Sequence, residues 1–300
     1  MTSSAIDARG GGRFSLTPSL LLLRAARFLP AVGLGAAVSF LYFPALVALV
    51  HQWSTDENYS HGFLIPLISA YLIWDRRHQV RRCRTRVSIW GYVALVLGLA
   101  LLIIGQAATF GFAVRLSLLV VLAALVLFLV GPDVLRVLTF PLAYLLFMVP
   151  LPAPILNQIA FPLQLMAAKL ATGTLDVMNI PVFREGNIID LASVRLEVTE
   201  ACSGIRSLVS LLALAVIFAY LTQKTWGPRL AVALSAIPIA LVTNAARVTL
   251  TGVLVAAISP QMAMGFYHAF SGLLIFVLAF GLLTTEGLLF SWLGKSTART

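Results

Sequence analysis

Leu230 to Ile258 reads LAVALSAIPIALVTNAARVTLTGVLVAAI, an apolar run broken by a single charge, Arg247. It exceeds the roughly 18 to 20 residues that a helix needs to cross a hydrocarbon core. A continuous run of this kind pairs its own backbone groups as a helix, which fits a helical membrane protein and not a barrel. Further runs approach or exceed the same length: Ile89 to Gly105, Leu116 to Val130, Leu208 to Leu221 and Phe270 to Leu283.

The bulk numbers agree. Of 300 residues, 60% are hydrophobic and 11% charged, and the mean hydropathy is +0.97. That composition excludes an ordinary soluble domain. A net charge of +10 raises the question of nucleic acid, but its distribution answers it. Arg76, Arg77, Arg81, Arg82, Arg84 and Arg86 fall in one loop, and Arg9, Arg13, Arg24 and Arg27 precede the first long apolar run. Basic excess in a polytopic protein concentrates in cytoplasmic loops, so topology accounts for the charge and no nucleic-acid partner is required. The first apolar stretch carries Arg24 and Arg27 and leads into Ala31 to Val50, which predicts a retained signal anchor and not a cleaved leader.

The reading is an all-α polytopic membrane protein forming one domain over 1–300, with about eight spans at 30–50, 60–74, 87–106, 112–130, 134–149, 203–222, 229–257 and 266–290. Ser60 to Trp74 is short for a span and Val134 to Val149 contains Pro141, so tilt or a kink is expected at both. With the Arg-rich loop 75–86 inside, segments 51–59, 107–111, 150–202 and 258–265 lie outside. Acids support that choice: Asp56, Glu57, Asp190 and Glu200 all fall on the outer side. The long outer insertion has two parts. Pro152 to Val177 mixes apolar residues with Asn157, Gln158, Gln164 and Lys169, which predicts a helix lying in the membrane interface. From Ile180 to Thr199, Val194, Leu196 and Val198 alternate with polar residues and Arg184-Glu185-Gly186-Asn187 reads as a turn, predicting a small β-ribbon.

Polar groups within such a fold need a reason, because a central Arg costs about 2.5 to 3.5 kcal/mol on insertion scales. Three residues ask for one: Cys202, Arg247 and His268. The two cysteines, Cys83 and Cys202, fall on opposite sides and cannot pair. Cys202 opens an inward-running helix and His268 opens another, while Arg247 sits about 15 Å from the outer end of an outward-running one. All three therefore converge near the outer leaflet. At a helix N-terminus, with Arg206 one turn below, a cysteine is set up to ionise. A thiolate, an imidazole that shuttles a proton and a guanidinium that holds an oxyanion supply what acyl transfer at a peptide bond needs. Bland readings stand beside this one. A lone Cys in apolar surroundings is ordinarily a small buried hydrophobe, a His at a helix start ordinarily a cap, and a buried Arg can serve an Asn or a backbone carbonyl.

In Ala201-Cys202-Ser203-Gly204-Ile205, Asn244-Ala245-Ala246-Arg247, His268 and the early Tyr59-Ser60-His61-Gly62 followed by Leu64, Ile65 and Pro66, the chain resembles the exosortase and archaeosortase family of membrane transpeptidases. The resemblance runs in order over residues 51–290. It implies a Cys, Arg, His triad that falls on Cys202, Arg247 and His268, in a bacterial inner membrane with the active site facing the periplasm. It further implies a substrate class: secreted proteins whose C-terminal sorting tail joins a short motif such as Pro-Glu-Pro to a transmembrane helix and a basic cluster. No cofactor or metal enters that chemistry. His61 and Ser203 belong to the matched pattern, and with Asn244 and Arg206 they form a supporting set. His61 suits either a hydrogen bond at a helix start or a substrate contact. Asn244 suits either orienting Arg247 or bonding substrate backbone, and Arg206 has Glu200 as a structural alternative.

Two other classes compete. Eight helices with a buried Arg also fit a transporter, but no inverted repeat is evident and the polar residues gather at the outer face instead of the midplane. A non-catalytic factor for envelope polysaccharide or protein export would use the same polar cluster for docking.

Overall fold

The computed structural model describes residues 32–191, 194–197, 205–259 and 265–296. The chain forms two compact units, Met1–Val47 and Ala48–Thr300. Helix α1 (Val32–Leu41) and the start of α2 (Phe43–Thr55) are the described part of the first.

The second unit continues from α2 into a 3-10 turn (Glu57–Phe63), α3 (Leu64–Asp75), the short basic α4 (Arg77–Arg82), α5 (Ile89–Ala107), α6 (Gly111–Leu129) and α7 (Pro132–Tyr144). After α8 (Ala153–Val177) come strands β1 (Val182–Glu185), β2 (Ile188–Leu191) and β3 (Arg195–Glu197), then α9 (Ile205–Thr222), α10 (Trp226–Ala257) and α11 (Gly265–Ser296).

Among the described residues, four helices can cross a membrane by length and composition, namely α5, α6, α10 and the Phe270–Trp292 part of α11. The number rises to six if the bent pairs α1 with α2 and α7 with α8 each make one span. The chain is thus a multi-pass helical protein, and the eight spans read from the sequence are not confirmed among the described residues. α3, at 12 residues, falls short of the required length, and between α7 and α8 the chain bends by 82°. The bend has a covalent cause, because Pro150, Pro152 and Pro154 crowd the break and proline cannot continue a hydrogen-bonded helix.

Small residues let these helices approach. Gly91, Gly98 and Gly105 recur every seventh residue along α5, and each meets α6. A Cβ at Gly98 would stand 2.9 Å from Val121 Cγ2, and one at Gly105 3.0 Å from the backbone nitrogen of Val114. With little hydrophobic driving force between helices in lipid, such close contact supplies the dispersion energy that holds them. The α9, α10 and α11 bundle uses alanine in the same way, with Ala215, Ala219, Ala236, Ala240 and Ala279 packed among Leu211, Val232 and Leu283.

Two hydrogen bonds staple α3 to α7 at its proline. Pro141 has no N–H, so the carbonyl of Val137 one turn earlier loses its helical partner; Arg76 Nη1 donates to it. Ser69 Oγ donates to the Pro141 carbonyl at 2.8 Å. The ribbon expected from the sequence is a three-stranded antiparallel sheet in the order β1-β2-β3. Glu185 pairs with Ile188, leaving a two-residue loop whose first residue, Gly186, has φ +64. That is the hairpin geometry in which glycine leads. Ile189 and Leu191 turn their side chains down onto Ala168 and Ala171 of α8 and Val248 of α10.

Candidate functional site

The first half of the site grows from the turn after α2. The Asp56 side chain accepts from the Asn58 N–H at 2.9 Å and starts the 3-10 turn. Trp53 donates its indole N–H to the Met148 carbonyl at 3.0 Å, and its ring lies where a Cβ at Gly62 would be, so only glycine fits there. Burial pushes the Tyr59 phenol above its ordinary value; it stays neutral and accepts the Leu151 N–H at 3.2 Å. Held by these contacts, His61 turns Nδ1 to Ser210 Oγ of α9 at 3.2 Å. Its Nε2 is buried without a hydrogen-bond partner.

The second half lies on α10. Among its buried residues, Val232, Ala236, Ala240, Asn244, Val248, Gly252 and Val255 recur at three- and four-residue intervals, which marks one helix face, and Thr243, Ala245 and Arg247 widen it. Asn244 and Arg247 occupy places on that face where the spacing calls for core side chains. Asn244 is 3% exposed and Arg247 7%, and Asn244 Nδ2 has no hydrogen-bond partner. Arg247 Nη1 reaches α11, lying 3.6 Å from where a Cβ at Gly272 would stand. Next to it, Val248 is packed under the sheet, and a Cβ at Gly252 would come within 2.9 Å of Leu175 on α8. The helix is therefore gripped by α8 and the sheet while Arg247 points to α11.

Two ends of this unit can be told apart. α3 runs from the His61 turn to Arg76, and α9 runs from Ser210, bonded to His61, to Tyr220, which lies under Arg76. Ten residues of helix separate Ser210 from Tyr220, about 15 Å. Arg247 lies eighteen residues along α10 from Arg229, which also faces Tyr220, a rise of about 27 Å. His61 and Arg247 thus belong to the end away from the Arg-rich segment.

Of the residues singled out from the sequence, Arg247, Asn244 and His61 have described side chains. Cys202 and Ser203 lie outside the described residues. Arg206 and His268 lie on α9 and α11, and their side chains are outside the description. In sequence, His268 precedes Gly272 by four residues, one turn of α11. The structure adds Ser210, Trp53 and Gly272, which the sequence reading passed over, and gives Tyr59 of the matched pattern a contact with Leu151. Ser210 is one of several hydroxyls on an apolar helix, and only its spacing from Cys202 could have marked it. A buried guanidinium and an amide with a free donor can hold a developing oxyanion or a peptide carbonyl.

The profile of the transmembrane exosortase family matches residues 53–285, which include every residue of the site described above. No curated protein and no solved structure matches the chain.

Proposed function

The chain belongs to the transmembrane exosortase family, and on that premise we propose that it is a cysteine-dependent protease or transpeptidase acting on secreted proteins with C-terminal sorting tails. Cys202, three residues before Ile205 of α9, attacks the scissile carbonyl and forms a thioester. Arg247 holds the tetrahedral oxyanion, and His268 protonates the departing amine. Water or an acceptor amine then releases the thioester. Asn244 presents its free amide to the same carbonyl or to neighbouring substrate backbone, while His61, Arg206 and Ser203 support the arrangement. The reaction takes place on the outer side of a bacterial inner membrane, where a substrate helix reaches it laterally through the bilayer.

The observation that carries this reading is Arg247, buried in the face of α10 with its guanidinium at Gly272 of α11. A cation held against two helices at the end away from the basic loop is costly as mere structure and suited to charge that develops in a reaction. Co-expression with a tail-bearing substrate tests it: Cys202→Ala and Cys202→Ser accumulate in the membrane but leave the tail uncleaved. Normal processing by Cys202→Ala would sink the assignment.

A further inference from the structure

At the other end of the helical unit, two guanidiniums share one aromatic ring. Arg76 and Arg229 each place Cζ 4.9 Å from the centre of the Tyr220 ring. Phe140 stacks on the same ring at 3.5 Å between centroids and 6° between planes, so one face of Tyr220 is taken and the cations gather on what remains. Among the described residues both arginines bond neutral acceptors: Arg76 the Val137 carbonyl, Arg229 the carbonyls of Gln223 at 2.9 Å and Tyr220 at 3.5 Å. The last two cap the C-terminal end of α9, which suits a cation but adds no full negative charge.

Among the described residues the salt bridges are Arg136 with Asp133 and Arg195 with Asp190, so neither guanidinium has a carboxylate within 4.0 Å. Burial lowers the Arg76 pKa from its ordinary value, Asp75 opposes that and Arg229 adds to it. The cluster also sits at a membrane-surface level. Trp226, 81% exposed, and Trp74, 59% exposed, stand beside Arg229 and under Arg77, as aromatic side chains do at the headgroup boundary. Two neighbouring, half-buried cations, with Asp75 beyond salt-bridge distance, repel a basic peptide and attract a phosphate.

We propose that Arg76 and Arg229, set against Tyr220, bind the phosphate of an anionic phospholipid headgroup. The lipid joins the C-terminal ends of α3 and α9 to the start of α10, beside the basic α4. This site is separate from the Arg247 region and does not depend on the reaction proposed there.

The test uses the full-length protein in nanodiscs of mixed phosphatidylglycerol and phosphatidylcholine, with retained lipid counted after exchange into detergent. Wild type is expected to retain phosphatidylglycerol over phosphatidylcholine, and Arg76→Gln with Arg229→Gln to lower that retention by about tenfold. Arg81→Gln with Arg82→Gln, which discharges α4 alone, should leave it unchanged. Arg76→Lys with Arg229→Lys keeps the charge and should keep most of the lipid, which guards against a glutamine variant that merely folds poorly. No lipid preference in wild type, loss confined to the α4 variant, or equal displacement by millimolar inorganic phosphate would each overturn the proposal, the last by naming free phosphate as the ligand.

Discussion

Arg247 on α10 and Gly272 on α11 are fitted to one another: the guanidinium occupies space beside the glycine, with Nη1 3.6 Å from where a Cβ would stand. An added methyl makes ordinary contact at that distance, whereas a longer side chain enters the guanidinium's volume. Gly272→Ala is therefore expected to process substrate within about twofold of wild type, and Gly272→Leu to lose about tenfold or more, as small misplacements of a reacting group do. Arg247→Lys tests the other partner. A point charge cannot reproduce the planar fork, so processing should fail while membrane accumulation persists. Full activity in Arg247→Lys would reduce the residue to simple charge.

His61 and Ser210 join segments 149 residues apart. Removing the hydroxyl by Ser210→Ala costs about 1 kcal/mol of stability, as loss of one partly buried hydrogen bond does, and frees the imidazole to turn. Thermal unfolding in detergent reads the first effect. Processing reads the second: His61→Gln, which keeps a donor, should retain more activity than His61→Ala. If the two behave alike, His61 is packing alone.

The sequence made the apolar helices legible because lipid imposes length and hydropathy on them. It also revealed the ribbon, since Gly186 marks a turn and Val194 to Val198 alternate. What it missed depends on distant neighbours. Periodicity could not separate a span from the 82° break between α7 and α8, because each half is apolar by itself. Nor could it find the Arg76 bond to the Val137 carbonyl, where one helix repairs what Pro141 removes from another. The site divides in the same way. Arg247 and Asn244 stand out as polar residues on an apolar stripe, a local signal, while Ser210 and Gly272 acquire meaning only through the side chains that meet them.

Gly62 makes a test of folding in the early turn. Any Cβ there collides with the Trp53 ring, whose indole N–H is held by the Met148 carbonyl. Gly62→Ala should lower accumulation of the protein in the membrane, and Trp53→Leu should partly restore it by clearing the space. The restoration will be incomplete, since Trp53→Leu also leaves the Met148 carbonyl without its donor, at about 1 kcal/mol or more. Additive losses in the double variant would show that the two positions do not compete.

Topology yields the widest prediction. α4 and its neighbours place Arg76, Arg77, Arg81 and Arg82 at one end of the helical unit, while the sheet packs on Val248, next to Arg247. Positive charge is retained on the cytoplasmic side, so the sheet should face outward. In intact cells an impermeant thiol reagent is expected to label a cysteine introduced at Asn187, in the hairpin, in a background carrying Cys83→Ser and Cys202→Ala. With Cys202→Ala removing the other thiol, native Cys83, beside α4, should label only after the membrane is opened. The opposite pattern would turn the protein over, put Arg247 on the cytoplasmic side, and leave a secreted substrate out of its reach.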